Sequence, residues 1–238
     1  VVLPFDGVST RYTIGSKDTN GYLFLVGYHD KTIYMEYQHS ISDGRGFEEF
    51  IRCVLFQYLK NCGFPVENDG SVRGMDTRWS PEESANGYEQ LADREFSPDG
   101  IWKKPEAVHA PEVQWGADGS EVVTEVTFPF SQLHDYAKSI GVSPLSVLAP
   151  LMMKAFDDKF GGTDKPVIAE IPVDLRPLLP TLTTRYFICF IDLPYFPEYR
   201  DLPNDEVFRR TKAFLKDQMQ REQLLYRAKA AETAVNRC

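Results

Sequence analysis

Three residues within the stretch YMEYQHSISDGRGFEEFIRCVLFQYLKNCG, residues 34–63, have types and spacing that could do chemistry. They are His39, Asp43 and Gly44, in the order H-x-x-x-D-G. Because an imidazole titrates near neutrality, it can take a proton from a hydroxyl or an amine and return it. The carboxylate can cap a helix or pair with an arginine, and the glycine lets the backbone turn or lets another group come close. The motif therefore predicts a general base with a supporting turn.

The same motif also has plain structural interpretations, and on its own it leaves them open. Histidines at strand ends are common, and Asp-Gly before a helix is an ordinary turn and cap. No third ligand lies nearby in the sequence, so no metal ion is predicted. His29, His109 and His134 are expected in surface or structural positions. The sequence contains no G-x-S-x-G elbow, P-loop or G-x-G-x-x-G phosphate fingerprint.

A hairpin and a helix must position these residues. Segments 21–29 and 32–39 are rich in aromatic and β-branched residues and are separated by two residues, which predicts two strands joined by a tight turn. After Gly44, apolar residues recur at i, i+3 and i+4, which predicts an amphipathic helix that ends near Gly63. His39 would then end the second strand, and the other two motif residues would lie in the turn before the helix.

Downstream of this helix, a long irregular segment precedes a second ordered part. Residues 64–118 have little periodicity, which predicts a long connection with a short helix near residues 80–92. The pattern after it predicts, in order, a strand over 120–130, a helix over 131–141 capped by Ser131, a helix from a Ser143 cap to Gly161, strands over 165–173 and 185–196, and a final helix from Asn204 or Asp205. This order indicates an α/β fold.

Composition bounds the class of protein. Of the 238 residues 42% are hydrophobic, which is enough apolar material for a core. The net charge of -9 disfavours nucleic acid as a partner, because phosphates repel an acidic surface. None of the four cysteines forms a C-x-x-C pair, no apolar run has membrane-spanning length, and no signal peptide opens the chain. These features predict a reduced, cytoplasmic setting.

The motif and the sequence beyond it resemble one known family. YQHSISDGRGF, followed by the predicted helix, resembles the H-x-x-x-D-G signature of the CoA-dependent acyltransferase superfamily. That group includes chloramphenicol acetyltransferase, nonribosomal peptide condensation domains, plant BAHD acyltransferases and bacterial alcohol acetyltransferases. GVSPLSVLAPLMMKAF, KPVIAEIPVDLRPLLP and RYFICFIDLPYF resemble the start of the family's second lobe. Because condensation domains carry a second histidine where this chain has Gln38, the resemblance favours the alcohol acetyltransferase branch.

The resemblance covers residues 20–62 and 120–215, and it implies an α/β fold of the two-lobed chloramphenicol acetyltransferase type, with mixed sheets flanked by helices. Residues 1–63 would be the end of the N-terminal lobe, 64–118 a connection or crossover, and 119–238 the start of the C-terminal lobe. The family's opening strand-helix segment and its late D-F-G-W-type segment are not found. The chain is therefore expected to be an incomplete piece, whose flanking segments would be supplied by the longer protein or by a second chain.

The resemblance also implies a role for each motif residue. His39 would lie in a tunnel between two lobes and deprotonate a hydroxyl or amine as it attacks a thioester, without a covalent acyl-enzyme. Asp43 would turn away and form a structural ion pair, with Arg176 as the candidate partner and an arginine in a missing segment as the alternative. Gly44 would leave room for the acyl chain and offer its amide to the developing oxyanion.

The predicted function is that of an acyltransferase, with no tightly bound cofactor and no metal. An acyl-CoA or a phosphopantetheine thioester would be the co-substrate, and the partners would be a small-molecule acceptor and a carrier protein if the donor is carrier-bound. Three alternatives stay open: a non-catalytic binding or scaffold module of the same fold, a condensation-type domain, and an unrelated α/β protein whose turn imitates the motif.

Overall fold

The computed structural model of the protein describes residues 12–74, 76–109 and 126–235. Over these residues the chain forms four β-strands and five α-helices, labelled in chain order: β1 Phe24–His29, β2 Thr32–Tyr37, α1 Gly44–Asn61, α2 Phe130–Ser139, α3 Pro144–Phe160, β3 Val167–Asp174, β4 Ile188–Tyr195, α4 Asn204–Gln218 and α5 Arg221–Val235. β1 pairs with β2 and β3 with β4, in two small antiparallel sheets. The chain is thus an α/β protein. Mixed sheets, which the resemblance implied, do not occur among the described residues.

The predicted hairpin is confirmed. Its register places Phe24 opposite Tyr37 and His29 opposite Thr32, so the turn between the strands has two residues. Asp30 adopts the left-handed region at φ 51°, a conformation that aspartate tolerates better than most residues and that such tight turns require. Side chains on β2 alternate between half-buried and exposed, as the period of two in its sequence indicates.

Helix α1 also follows its prediction. It begins after Asp43, whose side chain caps it, and it ends at Asn61, two residues before Gly63 with φ 80°. Its first turn packs on the hairpin, because the ring of Phe47 stacks on that of Tyr37 with centroids 3.7 Å apart. The helix therefore fixes the end of β2, where the motif begins.

The described chain divides into two compact units. One consists of Val1–Asp93 and Asp174–Ile188, and the other of Arg94–Val173 and Cys189–Cys238. The first unit thus combines the hairpin, α1 and the loop between β3 and β4. The bounds of these two units differ from those of the three predicted segments, 1–63, 64–118 and 119–238. Those segments refer to the lobes of a family fold, and the assignment of lobes stays a prediction.

The first unit has its own core around the segment that follows α1. Leu91, Leu175 and Phe187 are fully buried there. The Tyr88 hydroxyl donates a hydrogen bond to the carbonyl of Ile188 over 2.6 Å, which ties this segment to the chain beyond the β3–β4 loop. The segment is therefore part of the first unit's fold and does more than connect two ordered parts.

The short helix predicted near residues 80–92 is replaced by two 3-10 helices, Pro81–Ser84 and Gly87–Leu91. Ser80 caps the first and Asn86 caps the second, and Ala85 between them is extended with ψ 149°. Two cap residues six positions apart start two short turns, and the extended residue prevents a continuous α-helix.

The second unit is built on α3, α4 and the β3–β4 pair. Ser143 caps α3 as predicted, with its hydroxyl accepting from the Ser146 amide at 3.2 Å. The buried residues of its larger core are Ala149, Met153, Val167, Leu193, Tyr195, Tyr199 and Val207.

Three predicted elements in this part of the chain differ from the structure or lie partly outside the described residues. Most of the strand predicted over 120–130 lies outside the described residues, and residues 126–129 are not in a strand. Ser131 does not cap α2, because the helix already begins at Phe130 and has Pro129 at the cap position. The predicted single final helix is broken between Gln218 and Arg221.

Among the described residues, no single helix is long and apolar enough to cross a membrane. Only α2 together with α3 meets the length and composition criteria, as a pair of helices bent by 99°.

A buried ion pair closes the end of α3. Arg200 Nε and Nη2 donate to Asp157 Oδ2 and Oδ1 at 2.8 and 2.9 Å, and only 3% of the Asp157 side chain is exposed. These hydrogen bonds from Arg200 hold the pKa of Asp157 below its usual range, although burial acts in the opposite direction. The contribution of the pair to stability is therefore present at neutral pH and is lost as pH falls through this lowered pKa.

We expect Asp157→Asn to lower the free energy of unfolding by about 1–3 kcal/mol at pH 7, because two charge-assisted hydrogen bonds at a buried position are lost. The difference between the variant and the unchanged protein should shrink below about pH 4, where the carboxylate is protonated in the unfolded chain. Denaturant unfolding at pH 7 and pH 3 measures it. Asp158→Asn is the matched control, since Asp158 forms only a surface pair with Lys154. Equal losses in both variants would contradict the assignment.

Candidate active site

His39 lies in a tight turn rather than at the end of a strand. β2 ends at Tyr37, the Gln38 amide still donates to the carbonyl of Leu23 at 2.9 Å, and the Ile41 amide then donates back to the carbonyl of Gln38 at 3.1 Å. The predicted position of His39 in the strand is therefore wrong, because the chain turns immediately after the last hairpin hydrogen bond. The residue is exposed.

Two tyrosine rings lie beside the His39 imidazole. The ring of Tyr37 is 5.7 Å away between centroids, at an interplanar angle of 38°. The ring of Tyr186 is 5.9 Å away at 65°, an edge-to-face arrangement. Within the described ranges, no carboxylate forms an ion pair with this imidazole. Its nitrogens are therefore not committed to a charged partner.

Asp43 is buried and engaged in structural contacts. Only 1% of its surface is exposed. Its Oδ1 accepts from the Gly46 amide at 2.7 Å, and its Oδ2 accepts from the Phe187 amide at 2.7 Å and from Arg176 Nη1 at 2.9 Å. Three donors, one of them charged, satisfy a carboxylate that would be costly to bury alone. Asp43 thus serves as a helix cap and an ion-pair partner together.

Arg176 connects Asp43 to the loop between β3 and β4. Besides Asp43, its guanidinium donates to Asp174 Oδ1 at 2.8 Å and to the carbonyls of Thr183 and Arg185 at 3.0 and 2.8 Å. Only 13% of its side chain is exposed. The structure therefore brings together the two residues that the resemblance proposed as an ion pair, and the arginine also holds its own loop closed.

Of the two glycines at the start of α1, Gly46 is under steric constraint and Gly44 is open. A Cβ on Gly46 would collide with the carbonyl oxygen of Thr184 and lie 2.5 Å from the Ser42 hydroxyl. That hydroxyl donates to the same Thr184 carbonyl at 2.5 Å, which brings the start of α1 against the β3–β4 loop. Among the described residues, and apart from its chain neighbours and the backbone of its own helix, no atom lies within 4 Å of the Cβ position on Gly44. Room for an acyl chain beside Gly44 stays a prediction.

The buried carboxylate also affects the two phenols beside His39. Burial raises the pKa of Tyr37 above its ordinary value, and the negative charge of Asp43 raises it further. The same two causes, in the same order, raise the pKa of Tyr186. Both phenols are therefore neutral at physiological pH.

The other histidines do not join the site. His29 and His134 are exposed and lie beside the neighbouring Asp30 and Asp135, the ring of His134 also lies 6.1 Å from that of Phe130, and His109 is exposed in an irregular segment. In the part of the chain that the structure describes, no group of three or more histidine, cysteine or acidic side chains could hold a metal ion.

A cavity of about 300 Å³ lies on the Arg176 side of the ion pair, and His39 is not among the residues that line it. Its lining residues are Arg45, Gly46, Glu49, Gly70, Ser71, Arg73, Arg176, Thr181, Leu182, Thr183 and Thr184. The arginines of this lining also pair with carboxylates: Arg45 with Glu48, Arg73 with Glu83 and Arg176 with Asp43. The cavity is therefore close to electrically balanced and has no evident preference for an anion.

Sequence reasoning missed the residues contributed by the β3–β4 loop. Tyr186 next to the imidazole, Phe187 as donor to Asp43, and Thr184 against Gly46 have no spacing relation to the motif. The signal that existed was the second glycine of the G-x-G that opens α1, since a glycine in a helix interior marks close approach of another group.

The comparisons with known proteins leave the family open. Neither the family models nor the curated proteins compared with this chain match it. The resemblance to CoA-dependent acyltransferases therefore rests on the residues quoted above.

Replacing Arg176 with methionine should lower the free energy of unfolding by about 3–5 kcal/mol, because it leaves the Asp43 carboxylate buried without its counter-charge. Denaturant unfolding measures the loss. Arg45→Met is the matched control, since Arg45 is half exposed and pairs with Glu48 on the surface of α1. Equal unfolding midpoints for the two variants would contradict a structural role for the buried pair.

Alanine in place of Gly46 should destabilise the protein by about 1–3 kcal/mol, because the new methyl group forces α1 away from the Thr184 carbonyl. Gly44→Ala is the control: its site is open, so the substitution should change the free energy of unfolding by no more than about 0.5 kcal/mol. Thermal unfolding of both variants tests the pair. A Gly46→Ala protein as stable as Gly44→Ala would refute the close approach.

Proposed function

We propose that this chain carries the proton-accepting part of an acyltransferase site, with His39 as general base. The acyl group would come from acyl-CoA or from a carrier-protein thioester, and the acceptor would be a hydroxyl or an amine. The observation that carries the proposal is the contrast between the buried aspartate and the exposed histidine of the H-x-x-x-D motif. Asp43 accepts from three structural donors, whereas His39, four residues earlier, is exposed and pairs with no carboxylate among the described residues.

The proposed step needs only one proton acceptor. A ring nitrogen of His39 takes the proton of the acceptor hydroxyl as its oxygen attacks the thioester carbonyl carbon. The tetrahedral intermediate then collapses with cleavage of the carbon–sulfur bond, and the leaving thiolate takes the proton back from the imidazolium. The acyl group is transferred directly, so the enzyme forms no covalent intermediate, and holding both substrates in contact supplies much of the rate.

The start of α1 is a reasonable place for the developing oxyanion in this scheme. The first amides of a helix have no partner within the helix, and the helix dipole favours negative charge there. Asp43 occupies the Gly46 amide, and Gly44, one residue after Asp43, is exposed without a side chain. Gly44 is therefore the proposed oxyanion donor, in agreement with the role that the family resemblance implies.

A second candidate function follows from the exposure of His39. A general base works best where water is excluded, and this imidazole is open to solvent. The alternative is a non-catalytic binding or scaffold module in which the motif only shapes the turn. The free thiols of Cys53, Cys62 and Cys189 support a reducing, cytoplasmic setting for either function.

The decisive experiment measures release of free CoA from acetyl-CoA in the presence of an alcohol series, with the full chain. We expect release that depends on the alcohol, and His39→Ala should lower kcat/KM by about 10²–10⁴-fold because positioned proton transfer is lost. His29→Ala is the control, since that exposed histidine lies at the other end of the hairpin.

Two outcomes decide between the candidates. If His39→Ala and the unchanged protein release CoA equally, the histidine is not the base and the scaffold function is favoured. If neither acetyl-CoA nor a carrier-bound acetyl thioester is consumed with any alcohol or amine, the acyltransferase proposal fails.

A further inference from the structure

The Asp43–Arg176 pair holds the backbone on both sides of Tyr186. Arg176 Nη2 donates to the carbonyl of Arg185 at 2.8 Å, immediately before the tyrosine. The amide of Phe187, immediately after it, donates to Asp43 Oδ2 at 2.7 Å. A loop residue whose two neighbours are held in this way has little freedom to move its backbone. The position of the Tyr186 Cα, from which the ring extends, is therefore fixed.

The same carboxylate positions the ring on the other side of His39. Asp43 caps α1 through the Gly46 amide, and this fixes the first turn of the helix. Phe47 in that turn stacks on Tyr37 at 3.7 Å with an interplanar angle of 16°. One buried ion pair thus fixes both aromatic rings that flank the imidazole.

An exposed histidine in a turn would ordinarily sample several side-chain rotamers. Here the edge-to-face contact with Tyr186 at 5.9 Å and the contact with Tyr37 at 5.7 Å restrict the ring plane. Tyr37 adjoins the turn in sequence, whereas Tyr186 is brought in by the β3–β4 loop. Replacing Tyr186 would therefore remove the one of these two ring contacts that comes from a distant part of the chain.

We infer that Tyr186 is a positioning residue for His39, and that its ring, rather than its hydroxyl, holds the imidazole in one orientation in the exposed turn. The catalytic part of this inference rests on the proposed function, because only a general base needs a fixed orientation for proton transfer. Its structural content, a defined orientation of the His39 ring, stands without any reaction. Tyr186 would touch neither the transferred acyl group nor the proton.

The test uses the full chain and the four histidine signals in a ¹H–¹³C NMR spectrum. The His39 signal is assigned as the one that disappears in His39→Ala. In the unchanged protein we expect a nuclear Overhauser effect between the ring protons of His39 and Tyr186. Tyr186→Leu should then move the His39 signal by more than its linewidth, because the ring current and the orientation both change. Tyr186→Phe should leave it nearly in place.

A matched control and two outcomes make the test decisive. Tyr28→Leu is the control: Tyr28 lies on the β1–β2 hairpin and is 74% exposed, so its loss should leave the His39 signal unmoved. An unmoved signal in Tyr186→Leu would overturn the inference. Absence of the Overhauser effect in the unchanged protein would overturn it as well, even if the leucine variant does not fold.

Kinetics separate this inference from the proposed function. If the chain transfers acetyl groups, Tyr186→Leu should lower kcat on the order of 10- to 100-fold with little change in KM, because a displaced base slows the chemical step. Tyr186→Phe should restore the rate. Equal loss in the leucine and phenylalanine variants would assign the effect to the hydroxyl and overturn positioning by the ring. If the His39 signal moves as expected and no transfer is found, only the proposed function fails.

Discussion

A carboxylate with 1% of its surface exposed cannot remain unpaired, and the first unit is organised around satisfying Asp43. Its two oxygens accept from a helix amide, a loop amide and the guanidinium of Arg176. Through these contacts the start of α1 and the β3–β4 loop become one assembly. The turn with His39 and the loop with Tyr186 each take their position from it.

The parts of this arrangement that sequence could predict are those with local causes. The hairpin follows from alternation and a two-residue turn, α1 from its apolar period and its Asp43 cap, and the cap of α3 from Ser143. The pairing of Asp43 with Arg176 came from family resemblance, because nothing local relates residues so far apart. The contact of Gly46 with Thr184 does not follow from the sequence pattern, since close approach between distant segments leaves no periodic signal. The period alone also misses the break between α4 and α5, and it misses the two caps and the extended residue that divide one predicted helix into two 3-10 helices.

The exposure of His39 places a requirement on any reaction at this turn. Water competes with a substrate for an exposed base, and it would hydrolyse an activated thioester held there. Under the proposed function, the bound donor and acceptor would themselves have to cover the imidazole. An orientation fixed in advance by two tyrosine rings would suit that situation, because the base would need no rearrangement when the substrates arrive.

The distance along the chain between the ion-pair partners has a consequence for synthesis on the ribosome. Asp43 and Arg176 are separated by 133 residues, so at about 5–20 residues per second the carboxylate waits on the order of ten seconds for its partner. During that interval the nascent hairpin and α1 lack the loop that closes their unit, and the second stretch of that unit, Asp174–Ile188, emerges last. The first unit is thus completed only after residues 94–173 of the second unit have been made, and a polypeptide released before this loop would expose the surface that the loop covers.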